Sequence, residues 1–434
     1  MSSELIGLMG IIAVLVLFFL KVPVAITLII VSLLGTALIN SWDVAFSQLG
    51  RTPFDTSSDY SLSVIPLFIL MGMILSYTGI GSDLYRMVDS WIGHFRGGLA
   101  MATIGTAAIF SSISGSLNAT TATVAKISLP EMEKYKYKPG LSTSSVAAGG
   151  TLGILIPPSV ILILYGILTM EPIGALLISG IIPGILQILI FLITVAILVR
   201  KDPSIAPPRE GIATFSERFR TLKNIWPFIG LFLVSIGGIY LGVFTPTEAA
   251  GVGAFGALMF ALISRKLNWQ RLKHSLEDAV RLTAFIFLII IGANLFGQFL
   301  AVSRIPVMLT TFVGNLDMNP YLVLIAILAA LLILGCFIES LALIVITLPI
   351  LYPIITDLGF DGIWFGVIMI MVINIGALTP PLGISAFVIK GVAKNVPIET
   401  IFRGIIPMII AMIICVGILI IFPQLVTILP DLMN

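Results

Sequence analysis

The feature that most limits what this chain can fold into occurs twice. Residues Gly153 to Pro158 read GILIPP and residues Gly376 to Pro381 read GALTPP, each inside an apolar run without charge. Proline removes a backbone donor and glycine weakens a helix, so a helix carrying this cluster should open there. Each copy is followed by a glycine and then a Pro-Ile pair (Gly166, Pro172, Ile173; Gly391, Pro397, Ile398). Each then reaches the tetrapeptide GIIP, at 180–183 and 404–407. The offset stays at 223 to 225 residues throughout. A spacing held over such a distance implies a duplicated structural unit with small loop changes.

An opened backbone needs an environment, and composition supplies it. Of 434 residues, 58% are hydrophobic and 10% charged, where a soluble domain carries about 25% charged residues. The expected fold is therefore an all-α polytopic membrane protein. Inside lipid, non-helical backbone is tolerated only where it is buried in protein or lines a cavity. Two interruptions at corresponding positions of two halves are the pattern that marks a binding site for transported solutes and ions. The net charge of +2 is too small to draw nucleic acid as a partner. Cys336 and Cys415 stand far apart in apolar segments, which argues against a disulfide framework or a zinc site. The N-terminus lacks a basic flank and a small-residue cleavage site, so its apolar run reads as a retained span. Glu4, with no basic neighbour, favours an N-terminus outside.

Along the chain, residues 1–60 hold two apolar runs split by Lys21 and then a mixed segment, 41–60, expected at the membrane interface. Residues 61–199 form the first repeat. A span over 62–79 precedes a short charged stretch, and then Gly97 to Ala125 carries no charge. That run is too long for one crossing and too short for two at about 20 residues each. Its middle reads SSISGSLNATT, Ser111 to Thr121, as polar as a loop. A re-entrant hairpin over 97–130 accommodates both facts, and the first broken helix follows over 139–170. Residues 200–223 are the longest hydrophilic segment, with Arg200, Lys201, Arg209, Arg218, Arg220 and Lys223 against Asp202, Glu210 and Glu217. Positive residues favour the cytoplasm, so this linker is placed there.

Residues 224–281 repeat the opening plan. Thr245-Pro-Thr-Glu248 reads as a helix start with a capping box, Glu248 serving the cap rather than an ion. Residues 265–281 read as an interfacial amphipathic helix, opposite 41–60 at the duplication offset. Two such elements suit a frame holding a mobile core. A span over 283–302 follows, and 282–434 form the second repeat, with a hairpin over 320–356 and a broken helix over 362–391. Glu339, in GCFIES, is the one ionisable residue between Asp317 and Asp357.

Each half thus offers a hairpin tip and a broken helix. Helix N-termini suit a carboxylate, whereas unwound carbonyls and neutral side-chain oxygens suit a hard cation without a fixed charge in lipid. The expected sodium ligands are Ser114, Ser116, Asn118, Gly150, Pro157, Gly335, Glu339, Gly376, Thr379 and Pro380. The expected solute contacts are Ser116, Thr121, Thr151, Ser159, Ser340 and Pro381. A single Ser or Thr in such a helix usually bonds its own backbone, and the clustering at two matched tips is what favours a site. Glu339 is open to two readings: an ion or proton ligand, or a cap on the second helix of its hairpin. No cofactor is expected beyond sodium as coupling ion, and the absence of GxxxxGK[ST] argues against direct ATP use.

These residues resemble the large membrane subunit of tripartite ATP-independent periplasmic (TRAP) transporters, of the sialic acid and C4-dicarboxylate type. The likeness rests on SISGS at 112–116, GGTLGILIPPS at 149–159, TPTEA at 245–249 and GxLTPPxG at 376–383, and it covers essentially the whole chain. It implies inverted repeats, a mobile transport domain in a scaffold, and kinship with the ion transporter superfamily. It implies sodium-driven import of a carboxylated solute across the bacterial inner membrane. It also implies two partners, a small four-helix membrane subunit and a soluble periplasmic binding protein. The chain opens on the large subunit's first spans, so the small subunit is expected as a separate chain.

Two rivals differ in kind. A stand-alone anion symporter or sodium/proton antiporter of the same superfamily would need no binding protein. An intramembrane hydrolase would need a base near a tip serine, yet the only histidines, His94 and His274, fall in charged interfacial stretches, and neither HExxH nor GxSxG occurs.

Overall fold

Caps and breakers divide the apolar runs into elements. The computed structural model describes residues 2–207, 213–316, 318–381 and 383–433, and every regular element in them is helical. Arg209 and Glu210 of the linker lie outside the described residues. In the first half, α1 (Ser3–Phe19) and α2 (Val24–Ile39) are joined by a turn in which Lys21 takes the left-handed conformation. Helix α3 (Trp42–Ser57) starts at the Ser41 cap, and a 3-10 turn leads to α4 (Val64–Tyr77). Then come α5 (Ile80–Ile92), α6 (Gly98–Ser114), α7 (Leu117–Lys134), α8 (Pro139–Thr151), α9 (Val160–Thr169), α10 (Ile173–Ser179) and α11 (Ile181–Lys201).

The second half runs α12 (Phe215–Tyr240), α13 (Pro246–Ile263), α14 (Trp269–Ser303), α15 (Ile305–Gly314), α16 (Pro320–Gly335), α17 (Ser340–Asp357), α18 (Gly362–Leu378), α19 (Ile384–Val392), α20 (Ile398–Ile421) and α21 (Gln424–Asp431). Helices α7 and α17 begin 223 positions apart, as do α8 and α18. Six helices among the described residues are long and apolar enough to cross a membrane. The capping box at Thr245 forms, with the threonine hydroxyl accepting from the Glu248 N–H and the glutamate accepting from the Thr245 N–H.

Polar contacts fix which ends share a side. Lys138, at the base of α7 and α8, pairs with Asp202 at 3.2 Å. The Asp202 carboxyl sits below the usual carboxylate range because the Ser204 hydroxyl and then Lys138 donate to it. Ser90 meets Thr221, Lys266 pairs with Asp83 at 2.6 Å, and Tyr77 donates to Asp278. The linker ends, α5, the start of α14 and the base of the first hairpin therefore lie together on one side. On the opposite side Tyr352 of α17 donates to Glu171, which follows α9. The two hairpins enter from opposite faces, so the repeats are inverted.

The buried side chains form two apolar clusters. One unites the hairpins, the broken helices, α11 and α20 around residues such as Val146, Tyr165, Phe365 and Ile401. The other unites α1, α2, α4 and α12 to α14 around Leu28, Ile65, Ala250 and Phe296, and it reaches into Phe110 and Ile113 of α6, Ile163 of α9 and Val345 of α17. In the second, the Phe299 ring lies on Gly10 and Gly35, where a Cβ would overlap it. Small residues let helices close up in lipid, where water supplies no drive for association.

One expectation needs correction. The amphipathic stretch 265–281 and the span 283–302 are one helix, α14, of 35 residues. Asn268 caps its start, and neither proline nor glycine occurs until Gly292, so nothing breaks the hydrogen-bond ladder between the two stretches. Its counterpart 41–60 does break, because Asp59 accepts from the Ser61 N–H and starts a separate turn. The short charged stretch after residue 79 forms the amphipathic helix α5, which buries Leu84, Tyr85 and Val88.

Candidate functional site

The first hairpin tip is built from three residues. Ser114 ends α6, Gly115 turns in the left-handed region at φ 55, and Ser116 caps α7 with its hydroxyl accepting from the Ala119 N–H. Gly115 is required twice over, since a Cβ there would also stand 2.8 Å from the Pro158 carbonyl oxygen. The tip thus rests directly on the opened backbone of the α8–α9 break. In the second hairpin Glu339 occupies the place of Ser116, 223 positions later. Its carboxylate accepts from the N–H groups of Leu341 (3.1 Å) and Ala342 (3.4 Å). The capping geometry is therefore formed, and it leaves lone pairs on that carboxylate for a further partner.

Both helices that carry the Pro-Pro pairs open there. After α8 a 3-10 turn spans Leu152–Ile154, and the backbone stays irregular up to Ser159, which caps α9. Helix α18 ends at Leu378, and α19 begins after Gly383 in the left-handed region. The peptide bonds Pro157–Pro158 and Pro380–Pro381 are both cis.

The tips of the two hairpins meet. Ser114, Ser116 and Asn118 from one and Glu339 and Ser340 from the other line a crevice of about 60 Å³, with Leu282 and Ile286 of α14 also on its walls. That volume admits an ion with a few waters, each water needing about 10–15 Å³ of such space. Leu282 directly follows Arg281, the last charge of the amphipathic part of α14, so the tips stand where the apolar part of that helix begins. Behind the first tip lies a group of oxygens. The Ser114 and Thr120 hydroxyls are 2.5 Å apart, and the Ser116 carbonyl and Thr120 Oγ1 both stand 3.0 Å from where a Cβ on Gly153 would be. Thr121 Oγ1 is buried without a hydrogen-bond partner and faces Gly150 so closely that a Cβ there would overlap it.

Other expected residues fall elsewhere. The Thr151 hydroxyl donates to the Ala148 carbonyl and that of Thr379 to Ile375, each within its own turn, and the Ser159 hydroxyl donates back across the opened segment to Ile154. Gly335 and Gly376 form a backbone crossing of α16 and α18, where a Cβ on Gly376 would stand 2.7 Å from the Gly335 carbonyl carbon. Pro157 faces an apolar groove beside Phe228 and Ile185, and Pro380 and Pro381 are exposed. One residue was overlooked. Asn374 is buried within α18, its amide donating to the Thr151 carbonyl at 3.5 Å while Oδ1 has no partner. It is the lone amide in an apolar helix of 17 residues, a signal the sequence carried. It also stands 223 positions from Thr151, so equivalent positions of the two halves touch. The α14 wall left no comparable signal.

Inverted halves, paired re-entrant hairpins and two opened helices meeting at depth define a membrane transport protein. The solved YdaH transporter of Alcanivorax borkumensis has the same fold, with a TM-score of 0.59, 13% identity and coverage of 88% of this chain and 90% of that one. The chain belongs to the family described as "Tripartite ATP-independent periplasmic transporter, DctM component", whose model matches residues 11–425. The sialic acid TRAP transporter large permease protein SiaM of Vibrio cholerae is 32% identical over 417 residues, 96% of each chain. The C4-dicarboxylate large permease protein DctM of Pseudomonas aeruginosa is 34% identical, over 87% of this chain and 88% of its own. The ectoine large permease protein TeaC of Halomonas elongata is 32% identical over 86% of each. The chain is accordingly an inner-membrane TRAP large permease, a transporter and not an enzyme.

Proposed function

We propose that this permease imports a carboxylated solute, sialic acid or a C4-dicarboxylate, together with sodium. A periplasmic binding protein delivers the solute, and a small four-helix membrane subunit accompanies the permease. The observation that carries this reading is the meeting of the two hairpin tips in a crevice of ion size, backed by uncharged oxygens from Ser114, Ser116, Thr120 and Thr121. Neutral oxygens hold sodium without a permanent charge in lipid. Coupling is a physical need, because an anion entering alone works against the membrane potential by about 2.3 kcal/mol per charge per 100 mV. More sodium charge than solute charge reverses the sign.

The hairpins and broken helices move as a unit against the frame built on α14, an elevator motion. The apolar packing that joins both hairpins to both broken helices favours this over bending of single helices. The test is reconstitution into vesicles with the candidate partner proteins and labelled sialic acid or succinate. Uptake should require an inward sodium gradient and the binding protein. Uptake that persists without sodium removes the coupling, and uptake without the binding protein favours a stand-alone carrier.

A further inference from the structure

The crevice between the tips is too small for a sugar acid or a dicarboxylate, yet one of its walls is shared. Glu339 also lines a second, larger recess of about 330 Å³ between the second hairpin and the α1–α2 turn. Sites for small organic ligands begin at about 300 Å³. The walls are mostly apolar, with Phe18, Phe285 and Phe337 around one cation, Lys21. Lys21 has no acidic partner among the described residues. Its turn is level with Phe285, since α1 runs antiparallel to α14 with Gly7 at Ser303 and Gly10 at Phe299. The recess therefore lies beside the start of the apolar part of α14. The only other ionisable group on its walls is Glu339, whose carboxylate already faces two backbone N–H donors at a helix start. A further recess of about 420 Å³, with Glu133 and Lys394, lies at the base of the first hairpin, away from both tips.

We infer that the recess between the α1–α2 turn and the second hairpin is the solute's cytoplasmic-side station, with Lys21 binding its carboxylate and the phenylalanines covering its carbon skeleton. Ion and solute then occupy adjoining compartments that share Glu339. A lone cation between low-dielectric walls concentrates anions. This assignment rests on the transport reading, but its test does not need transport.

Phe337→Cys on the hairpin wall, and separately Phe285→Cys on the facing wall, are placed in the full-length chain in membranes. The two native cysteines, both buried, set the background. Labelling rates are compared for an anionic sulfonate and a cationic ammonium methanethiosulfonate. The anionic reagent should be favoured, with the ratio falling about tenfold in Lys21→Gln and returning in Lys21→Arg. A ratio indifferent to Lys21 at both walls would overturn the assignment, whatever the uptake assays show. Loss of sodium-dependent uptake with the labelling ratio intact would instead count against the coupling scheme.

Discussion

At the scale of single residues, three side chains separate packing from ligation. A methyl on Gly150 must displace Thr121 Oγ1, and overpacking of this kind costs about 1–3 kcal/mol. Gly150→Ala should lower the melting temperature, and Thr121→Ala added to it should restore it. If the Thr121 hydroxyl is a sodium ligand, uptake stays low in the double variant although stability returns. Glu339→Gln keeps an oxygen for the Leu341 and Ala342 donors but removes the charge. Uptake should fall by about tenfold or more, equivalent to about 1.4 kcal/mol, with little change in thermal stability. Wild-type uptake in that variant would leave Glu339 a cap alone. Asn374→Leu replaces an amide whose Oδ1 has no partner. Stability should change little, because removing an unsatisfied acceptor offsets the lost bond to Thr151, while sodium-dependent uptake should drop. The identities of Ser114, Ser116, Asn118, Glu339 and Ser340 as tip residues were legible as polar islands in charge-free runs. The roles of Thr151, Ser159 and Thr379 were not, since a hydroxyl turned back on its own carbonyl has the same sequence as one turned outward.

At the scale of elements, the hairpins and broken helices follow from local chemistry, since the Gly–Pro–Pro clusters remove donors and the tip serines and Glu339 cap the next helix. Helix α14 shows where that logic stops. Without a breaker between Trp269 and Gly292, an interfacial stretch and a span fuse, and the polarity change alone was misleading. The crossing of α16 and α18 at Gly335 and Gly376 gives a prediction at this scale. Gly376→Ala places a methyl against backbone that cannot step aside, so the second hairpin should lose its seat on α18. Expression and uptake should both fall sharply, and Gly335→Ala should do the same more mildly, because its nearest neighbour is 3.2 Å away. Normal expression and uptake in both would show that the two helices have room to separate.

At the scale of the molecule, α14 and the second hairpin meet at the crevice, whose walls include Ile286 of the one and Leu341 of the other. Paired cysteines at these positions, oxidised, should arrest uptake, and reduction should restore it to near the uncrosslinked rate. Undiminished uptake in the crosslinked protein would exclude sliding of the second hairpin past α14 at this contact.

Repetition, membrane residence, the two openings and the family likeness are properties of order along the chain, and the sequence determined them unaided. Backbone donors and acceptors are satisfied locally, so their gaps are written locally. The chain order did not reveal that Thr151 touches Asn374, that Leu282 and Ile286 wall the crevice between the tips, or that Lys21 shares a recess with Glu339. Those contacts arise when two inverted halves pack across hundreds of residues, and only the tertiary structure decides which side chains then face the same space.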